Sequence, residues 1–569
     1  MLTKAVRLYG KEDLRLEEFE LPGMKDDEIL AKVVSDSLCM SSYKSSHQGS
    51  DHKRVPDDIA ENPTIIGHEF AGEIIEVGSK WKDQFKPGDK FSIQPALNYE
   101  GGPAGLLSAP GYSYRYAGGD ATYIIIPSDV MEMGCLLHYN GPGFYPASLS
   151  EPLACVIGAM HACYHTHPGS YVHQMEIKDG GKMALLAGVG PMGLAMINYV
   201  LRREDRKPSL FVVTDIDQAR LDRAATLYTK EFAASRGIDL RYVNTGTVEN
   251  PVETLREISG GTGYDEVIVM APVPAVVEQG DDILGQDGCL NFFSGPGRSD
   301  FKAPFNFYNV HYASTHVVGT SGGNTEDMKE ALKMMGEGLD PAGLVTHIGG
   351  LNVVPETTLN LPSIKGGKKL IYTHIEMPLT AITDFEEKGR TNPVYAELDR
   401  LCKAHNGLWN IEAEEYLLAE GAGAAFMAPL VKEELYFRLL MSPAAGAFRA
   451  LFSSGTPESR IREAAAWMRA NYRRDFDVAD TASRFGMSAA TFYRYFREIL
   501  GASPRQYVKT LRLYEAKRLM MDEGMDAAAA AFEVGYESAA YFSREYKRAF
   551  GPPPRAHVEA CRAQAADAA

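Results

Sequence analysis

Residues Lys182–Leu201 read KMALLAGVGPMGLAMINYVL: an apolar run, a glycine turn, then apolar residues at helical spacing. Gly188, Val189, Gly190, Pro191, Met192 and Gly193 form the turn in the pattern G-x-G-x-x-G. The next apolar run, SLFVVTDID, carries Asp215, 22 residues beyond the last glycine. Glycines let a backbone turn tightly against a pyrophosphate whose charge rests at a helix N-terminus. An acid closing the second strand accepts hydrogen bonds from ribose hydroxyls. A lone glycine pattern is only a turn; strand, turn, helix, strand and acid in sequence predict a Rossmann α/β domain. Asp215 repels a 2′-phosphate, which makes NAD the expected cofactor and NADP the alternative.

Upstream, SDSLCMSSYKSS, IIGHEFAGEIIEVG and LSEPLACVIGAMHACYHT supply Cys39, His68 and Glu151. Sulfur, nitrogen and oxygen donors of this kind suit zinc with one open position. Glu69 follows His68 as a further ligand or a group supporting the ligands. From Lys90 onward, short β-rich runs such as FSIQPALN and ATYIIIP alternate with Gly/Pro clusters, which predicts a small β-rich domain.

These motifs resemble the zinc-dependent medium-chain dehydrogenases of the alcohol and sorbitol dehydrogenase class over residues 1 to about 419. Gly67, His68, Glu69 and Gly72 match G-H-E-x-x-G, Cys39 stands 29 residues before His68, and Glu151–Pro152 give the E-P pair. The resemblance implies a GroES-like catalytic domain over 1–160, completed by 320–419, around a Rossmann domain over 161–319. It places the catalytic zinc on Cys39, His68 and Glu151, with Glu69 a fourth candidate ligand and a catalytic group. It puts Ser41 at the proton-relay position, although the chain reads CMSS where C-G-S/T-D is usual. Residues 89–120, where relatives carry a four-cysteine lobe, hold no cysteine, so one catalytic zinc and no structural zinc are expected. The runs at 92–127, 360–375 and 405–419 look like the L-sorbose 1-phosphate reductase branch, which implies exchange of a ketose phosphate with a polyol phosphate. Arg54, Arg115, Arg298 and Lys365 are the cations considered for the phosphate. A homo-oligomer is the expected assembly.

The last quarter differs in kind. Of the 58 basic and 75 acidic residues, 21 and 17 lie in 425–569, so that segment carries +4 and the remainder −21. Arginine outnumbers lysine 17 to 4 there, against 15 to 22 before it. VADTASRFGMSAATFYRYFREILG reads as helix, turn at Gly486 and helix capped by Ser488; the unit recurs in DAAAAAFEVGYESAAYFSREYKRAFG with Gly535 and Ser538. Joined by the helical run SPRQYVKTLRLYEAKRLMMDEG, the pair resembles the all-α, double helix-turn-helix DNA-binding domain of AraC/XylS regulators, over 461–559. By that resemblance Ser488, Ala489, Thr491, Tyr493, Arg494 and Arg497 belong to one recognition helix. Ser538, Tyr541, Arg544 and Lys547 belong to the other, and double-stranded DNA is the implied partner. Residues 420–430 read as a linker, 431–460 as the remnant helical segment of a regulator's N-terminal domain, and 560–569 as a disordered tail.

Seven scattered cysteines without C-x-x-C argue for reduced thiols. No apolar run spans a membrane. The N-terminus MLTKAVRLYGKEDLRLEEFE has no secretion-signal core, which makes the cytoplasm the expected location. The leading expectation is a zinc-dependent, NAD(P)-linked oxidoreductase carrying a DNA-binding regulator domain. The alternatives are a regulator using the dehydrogenase fold as a sugar-phosphate or redox sensor, and a fusion of two halves acting independently.

Overall fold

The computed structural model describes residues 1–167, 169–419, 457–474, 476–522, 525–550 and 552–558, the side chains of Glu458 and Asp522 excepted. The linker expected at 420–430, nearly all of the segment expected at 431–460 and the tail expected at 560–569 lie outside the described residues. The chain divides into two compact units, Met1–Pro429 and Leu430–Ala569.

In the first unit, six parallel strands form one sheet in the order Asp239–Asn244, Leu210–Asp215, Lys182–Leu186, Tyr264–Val269, Leu284–Phe292 and His316–Val318. Counted along the chain this is 3-2-1-4-5-6, the Rossmann order, and it reverses beside Lys182–Leu186. Ligand crevices open at the carboxyl ends of strands at such a reversal. Leu210–Asp215 is buried throughout, as expected where helices cover both faces of a parallel sheet.

An eight-stranded, mostly antiparallel sheet forms the GroES-like part. Its central strand Ile29–Leu38 pairs with Phe70–Val77, Tyr123–Ile126 and Lys368–Tyr372. Lys368–Tyr372 comes from beyond the Rossmann strands in sequence, so the chain leaves this sheet and later returns to it. The helix Ser150–Ala162 buries Leu153, Val156, Ile157 and Met160 in one cluster with Leu194, Met196 and Tyr199 of the helix Pro191–Arg202. That shared core fixes the helix bearing Glu151 against the dinucleotide-type fold.

FSIQPALN reads as a strand but is only partly one. Lys90–Ile93 pairs in the sheet, and most of the next 27 residues run as turns and loop. Pro95 has no N–H for a ladder, and Gln94 is drawn away, its Nε2 donating to the Asn324 carbonyl at 2.9 Å. This loop delivers Tyr112 to the site described below.

The second unit has helices Pro457–Asn471, Val478–Arg484, Ala489–Leu500, Pro504–Asp522, Ala527–Glu533 and Ala539–Phe550. Phe492 and Phe496 centre one core, while Phe542 and Tyr546 centre another. The long helix Pro504–Asp522 serves both, placing Val508 in the first and Leu513, Ala516 and Leu519 in the second. Arg512 on that helix donates to the carbonyls of Tyr472, Arg474 and Gly535 at 2.7, 2.8 and 2.8 Å. One guanidinium thus ties the end of the first helix to the turn of the second helix-turn-helix.

Candidate functional site

The strand Ile29–Leu38 ends at Cys39, which caps the helix Met40–Gln48 and accepts from the Ser41 N–H at 3.5 Å. His68 and Glu69 immediately precede the paired strand Phe70–Val77. Cys39, His68 and Glu69 thereby bring sulfur, ring nitrogen and carboxylate oxygen within 4.8 Å of one another. Gly67 makes the approach feasible. Its φ is +90°, and a Cβ would lie 2.7 Å from the Asp120 nitrogen, so any side chain there is both strained and blocked.

Each donor is held by neighbours. The Ser42 hydroxyl lies 3.2 Å from His68 Nδ1 and the Tyr112 hydroxyl 3.1 Å from Nε2. Burial raises the Tyr112 hydroxyl well above its ordinary value, and the neighbouring Ser41 side chain acts against that rise. Burial pushes the His68 pKa down to about 4, leaving a neutral imidazole at pH 7. Burial, reinforced by the Glu69 charge, pushes the Cys39 thiol up to about 12. Burial alone would raise Glu69 too, but the Lys368 charge and hydrogen bonds outweigh it and hold Glu69 below its ordinary value. A neutral imidazole, a carboxylate and a thiol that needs a cation to ionise make a donor set that fits zinc.

Glu151 is not part of that tight trio. It sits in the first turn of Ser150–Ala162, where Cys155 Sγ donates to it at 3.4 Å. Burial and the Glu69 charge push it up to about 7. Lys368, Tyr112, Ser42 and Cys155 escaped the sequence reading. A signal for Lys368 existed: a lysine inside KKLIY, a strand buried throughout, requires a carboxylate partner. Tyr112 lies in a Gly-rich loop with no periodicity to betray it.

The glycine turn is built for close approach. Gly190 caps Pro191–Arg202, and a Cβ on Gly193 would lie 2.1 Å from the Gly188 carbonyl oxygen. Asp215 ends its strand with Oδ1 accepting from the Ile216 and Asp217 N–H groups at 2.9 and 3.1 Å. Arg220 reaches back over the turn, its Nη2 3.3 Å from where a Gly190 Cβ would stand. Val189 and Met192 pack into the core beneath.

In the second unit Ser488 accepts from the Thr491 N–H at 3.3 Å, and Ser538 accepts from Tyr541 N–H at 3.3 Å. Gly486 and Gly535 take the turns at φ +66° and +90°. Ala489, Tyr493, Arg494 and Arg497 are exposed on one helix, with Thr491 half-buried; Tyr541, Arg544 and Lys547 are exposed on the other.

Family models match three stretches: an alcohol dehydrogenase GroES-like domain over 25–133, a zinc-binding dehydrogenase over 211–337, and a helix-turn-helix domain over 481–560. The mannitol-1-phosphate 5-dehydrogenase of Aliivibrio fischeri is 51% identical over 417 residues, covering 73% of this chain and 97% of that protein. The chain belongs to the zinc-dependent medium-chain dehydrogenases. Its further relatives in this family include the L-sorbose 1-phosphate reductase of Klebsiella pneumoniae, 48% identical over 73% of this chain and 97% of that protein. The protein YggP of Escherichia coli is 54% identical over 74% and 98%. Among solved medium-chain dehydrogenases, the 2R,3R-butanediol dehydrogenase of Bacillus subtilis superposes with a TM-score of 0.51 at 21% identity, covering 65% of this chain and all of that one. What sets this dehydrogenase apart from those relatives is the AraC-type helix-turn-helix domain carried after it. Among the described residues, no helix is long and apolar enough to cross a membrane.

Proposed function

We propose that the first unit interconverts a ketose phosphate and a polyol phosphate with NAD(H), and that the second binds double-stranded DNA. The observation that carries the first reading is the Cys39–His68–Glu69 trio, its histidine and glutamate buried and its cysteine half-buried, in a chain about half identical to two enzymes named for sugar-phosphate chemistry. Cys39, His68 and Glu69, with Glu151 beside them, would hold zinc; Gly188–Gly193 and Asp215 would hold the dinucleotide. When bound, zinc supplies Lewis acidity toward the substrate oxygen and the nicotinamide supplies the hydride acceptor or donor.

The chain's own groups orient and protonate. Ser42 fixes the His68 ring through Nδ1. The Ser41 hydroxyl and the Tyr112 hydroxyl, which lies 3.1 Å from His68 Nε2, carry the proton between the substrate oxygen and solvent. Tyr112 keeps its proton at neutral pH because burial raises it well above its ordinary value. The Asp215 carboxylate disfavours a 2′-phosphate, so NAD is preferred to NADP.

Steady-state assays with sorbose 1-phosphate, fructose 6-phosphate and the matching polyol phosphates, each with NAD(H) and NADP(H), test the reading. Turnover with kcat/KM higher for NAD(H) is expected. No turnover of any phosphorylated substrate by zinc-loaded protein would refute it. For the second unit, the supporting feature is the set of exposed Arg494, Arg497, Arg544 and Lys547 on two capped helices.

A further inference from the structure

Four cations were candidates for holding a substrate phosphate, and their surroundings separate them. Arg298 is spent on Asp300 in a two-pronged pair at 2.9 and 2.6 Å and is 82% exposed. Arg115 donates to Asn62 Oδ1 at 3.0 Å on the surface. Lys365 is exposed. Arg54 differs in every respect. It is half-buried, and its guanidinium lies over the Tyr112 ring, 5.6 Å from the centroid. That same tyrosine touches the metal-type trio through its hydroxyl, 3.1 Å from His68 Nε2. Among the described residues, the one hydrogen bond of the Arg54 guanidinium is a long one, Nη1 to the Leu107 carbonyl at 3.5 Å.

Lys44 and Lys53 share the surroundings of Arg54 through their common effect on His52, and the Arg54 charge also reaches the Glu151 carboxylate. Among the described residues, no ion pair includes Arg54, Lys53 or Lys44. Lys44 Nζ reaches from the helix Met40–Gln48 to the Gly295 carbonyl at 3.3 Å, just beyond the Rossmann strand Leu284–Phe292. His52 stacks on Tyr112 at 5.9 Å with planes 10° apart. Burial pushes the His52 pKa down to about 4, and the charges of Arg54, Lys53 and Lys44 add to the depression. In a dehydrogenase part that carries −21 overall, a guanidinium without an ion pair among the described residues, lying over the tyrosine that reaches His68, runs against the trend. A half-buried guanidinium without a carboxylate presents its fork to whatever anion arrives, and a phosphate matches it with two parallel hydrogen bonds.

We propose that Arg54, lying over the ring of the Tyr112 whose hydroxyl reaches His68, is the phosphate-binding residue that sets selectivity for a phosphorylated sugar. The proposal rests on the sugar-phosphate reading of the active site. It predicts that the phosphate of the bound substrate meets the Arg54 guanidinium while the reacting carbon lies at the Cys39–His68–Glu69 trio.

The test is the ratio of kcat/KM for a ketose phosphate to that for the same ketose without phosphate, in wild type, Arg54→Ala and Arg54→Lys. Losing charge-assisted hydrogen bonds to phosphate should lower that ratio roughly 10- to 100-fold in Arg54→Ala. Arg54→Lys should fall between, because an ammonium offers charge but no fork. The loss should reside in KM for the phosphorylated substrate, and competitive inhibition by inorganic phosphate should weaken in parallel. Thermal unfolding of both variants checks that they fold, and Arg54→Lys keeps the test alive if the alanine variant does not. A wild-type enzyme that uses phosphorylated substrates while both folded variants keep its ratio overturns the assignment of Arg54 alone. A wild-type enzyme without preference for phosphorylated substrates overturns the reading beneath it as well.

Discussion

Lys368 Nζ lies 2.5 and 2.6 Å from the two carboxylate oxygens of Glu69, and both side chains are buried. The lysine begins the strand that returns to the GroES-like sheet after the Rossmann strands, so the late part of the chain supplies the counter-charge for an early one. Removing one member of a buried pair leaves an uncompensated charge and costs about 3–5 kcal/mol. Lys368→Met is therefore expected to lower the stability of the metal-free protein by that order. A bound divalent cation replaces the missing charge, so zinc should raise the melting temperature of Lys368→Met more than that of wild type. Calorimetry with and without zinc decides this; equal metal-free stability of the two proteins would show that the pair is not carrying the carboxylate.

Metal content follows from the trio. Zinc-loaded wild type should hold about one zinc per chain, the occupancy of a single mononuclear site. Cys39→Ser removes the sulfur donor and should bring both zinc and turnover to background. A chelator should lower the melting temperature of wild type and leave that of Cys39→Ser where it was. Two zinc ions per chain in wild type would mean a second site that the trio does not explain.

The hydroxyl pair gives a kinetic prediction. Tyr112→Phe removes the hydroxyl that touches His68, and Ser41→Ala removes its proposed partner in the relay. General acid–base help of this kind is worth roughly 10²–10⁴-fold. Each single variant should lose a large part of that in kcat, and the double variant little more than the worse single one, since both belong to one relay. Fully multiplicative losses, measured in a double-mutant cycle, would show that the hydroxyls act separately.

The fold was legible from a few motifs because each is a backbone requirement written in residue type. Gly193 must be glycine for its Cα to meet the Gly188 carbonyl, and Gly67 must be glycine to take a positive φ beside Asp120. The alternation of Phe492 and Phe496 with Tyr493, Arg494 and Arg497 likewise announced a core face and an exposed face. Long-range partners were illegible for the opposite reason. Tyr112 reaches His68 across 44 residues and Lys368 reaches Glu69 across 299, and neither spacing carries a period. The motifs named both Glu151 and Glu69 as candidate ligands with Cys39 and His68, and the structure groups Glu69 with those two within 4.8 Å.

A buried carboxyl pair makes stability depend on pH. Asp36 and Asp120 are both fully buried, and burial pushes Asp120 from 3.8 to about 8. Burial, then Asp120 and Glu69, raise Asp36 as well. With folded values above the unfolded ones, the native state takes up a proton on folding. That stabilisation is complete below about 3.8 and is lost as pH rises through about 8. Wild type should therefore lose stability, on the order of 1–3 kcal/mol, between pH 5 and pH 8.5. Asp120→Asn should flatten that slope, and chemical unfolding at the two pH values measures it. An unchanged slope in the variant would mean that the pair does not share a proton.

The two halves invite separate tests before any coupling is drawn. DNA binding through the second unit should weaken with salt, because each phosphate contact releases counterions, with log K falling by about 0.9 per contact for each decade of salt. Arg494→Ala and Arg544→Ala should each cost about 1–3 kcal/mol if they read base edges, relaxing preference at their own positions. If they meet phosphates instead, binding should weaken evenly across sequences and the salt slope should drop by about 1 per residue. Selection from a random duplex library, followed by titration of the recovered site, distinguishes the two. The same titration with NAD(H) or a sugar phosphate present addresses the sensor alternative. A dehydrogenase that regulates must change DNA affinity when its ligands bind, and DNA must change ligand affinity by the same factor. An affinity that stays constant across saturating ligand would leave two independent activities on one chain.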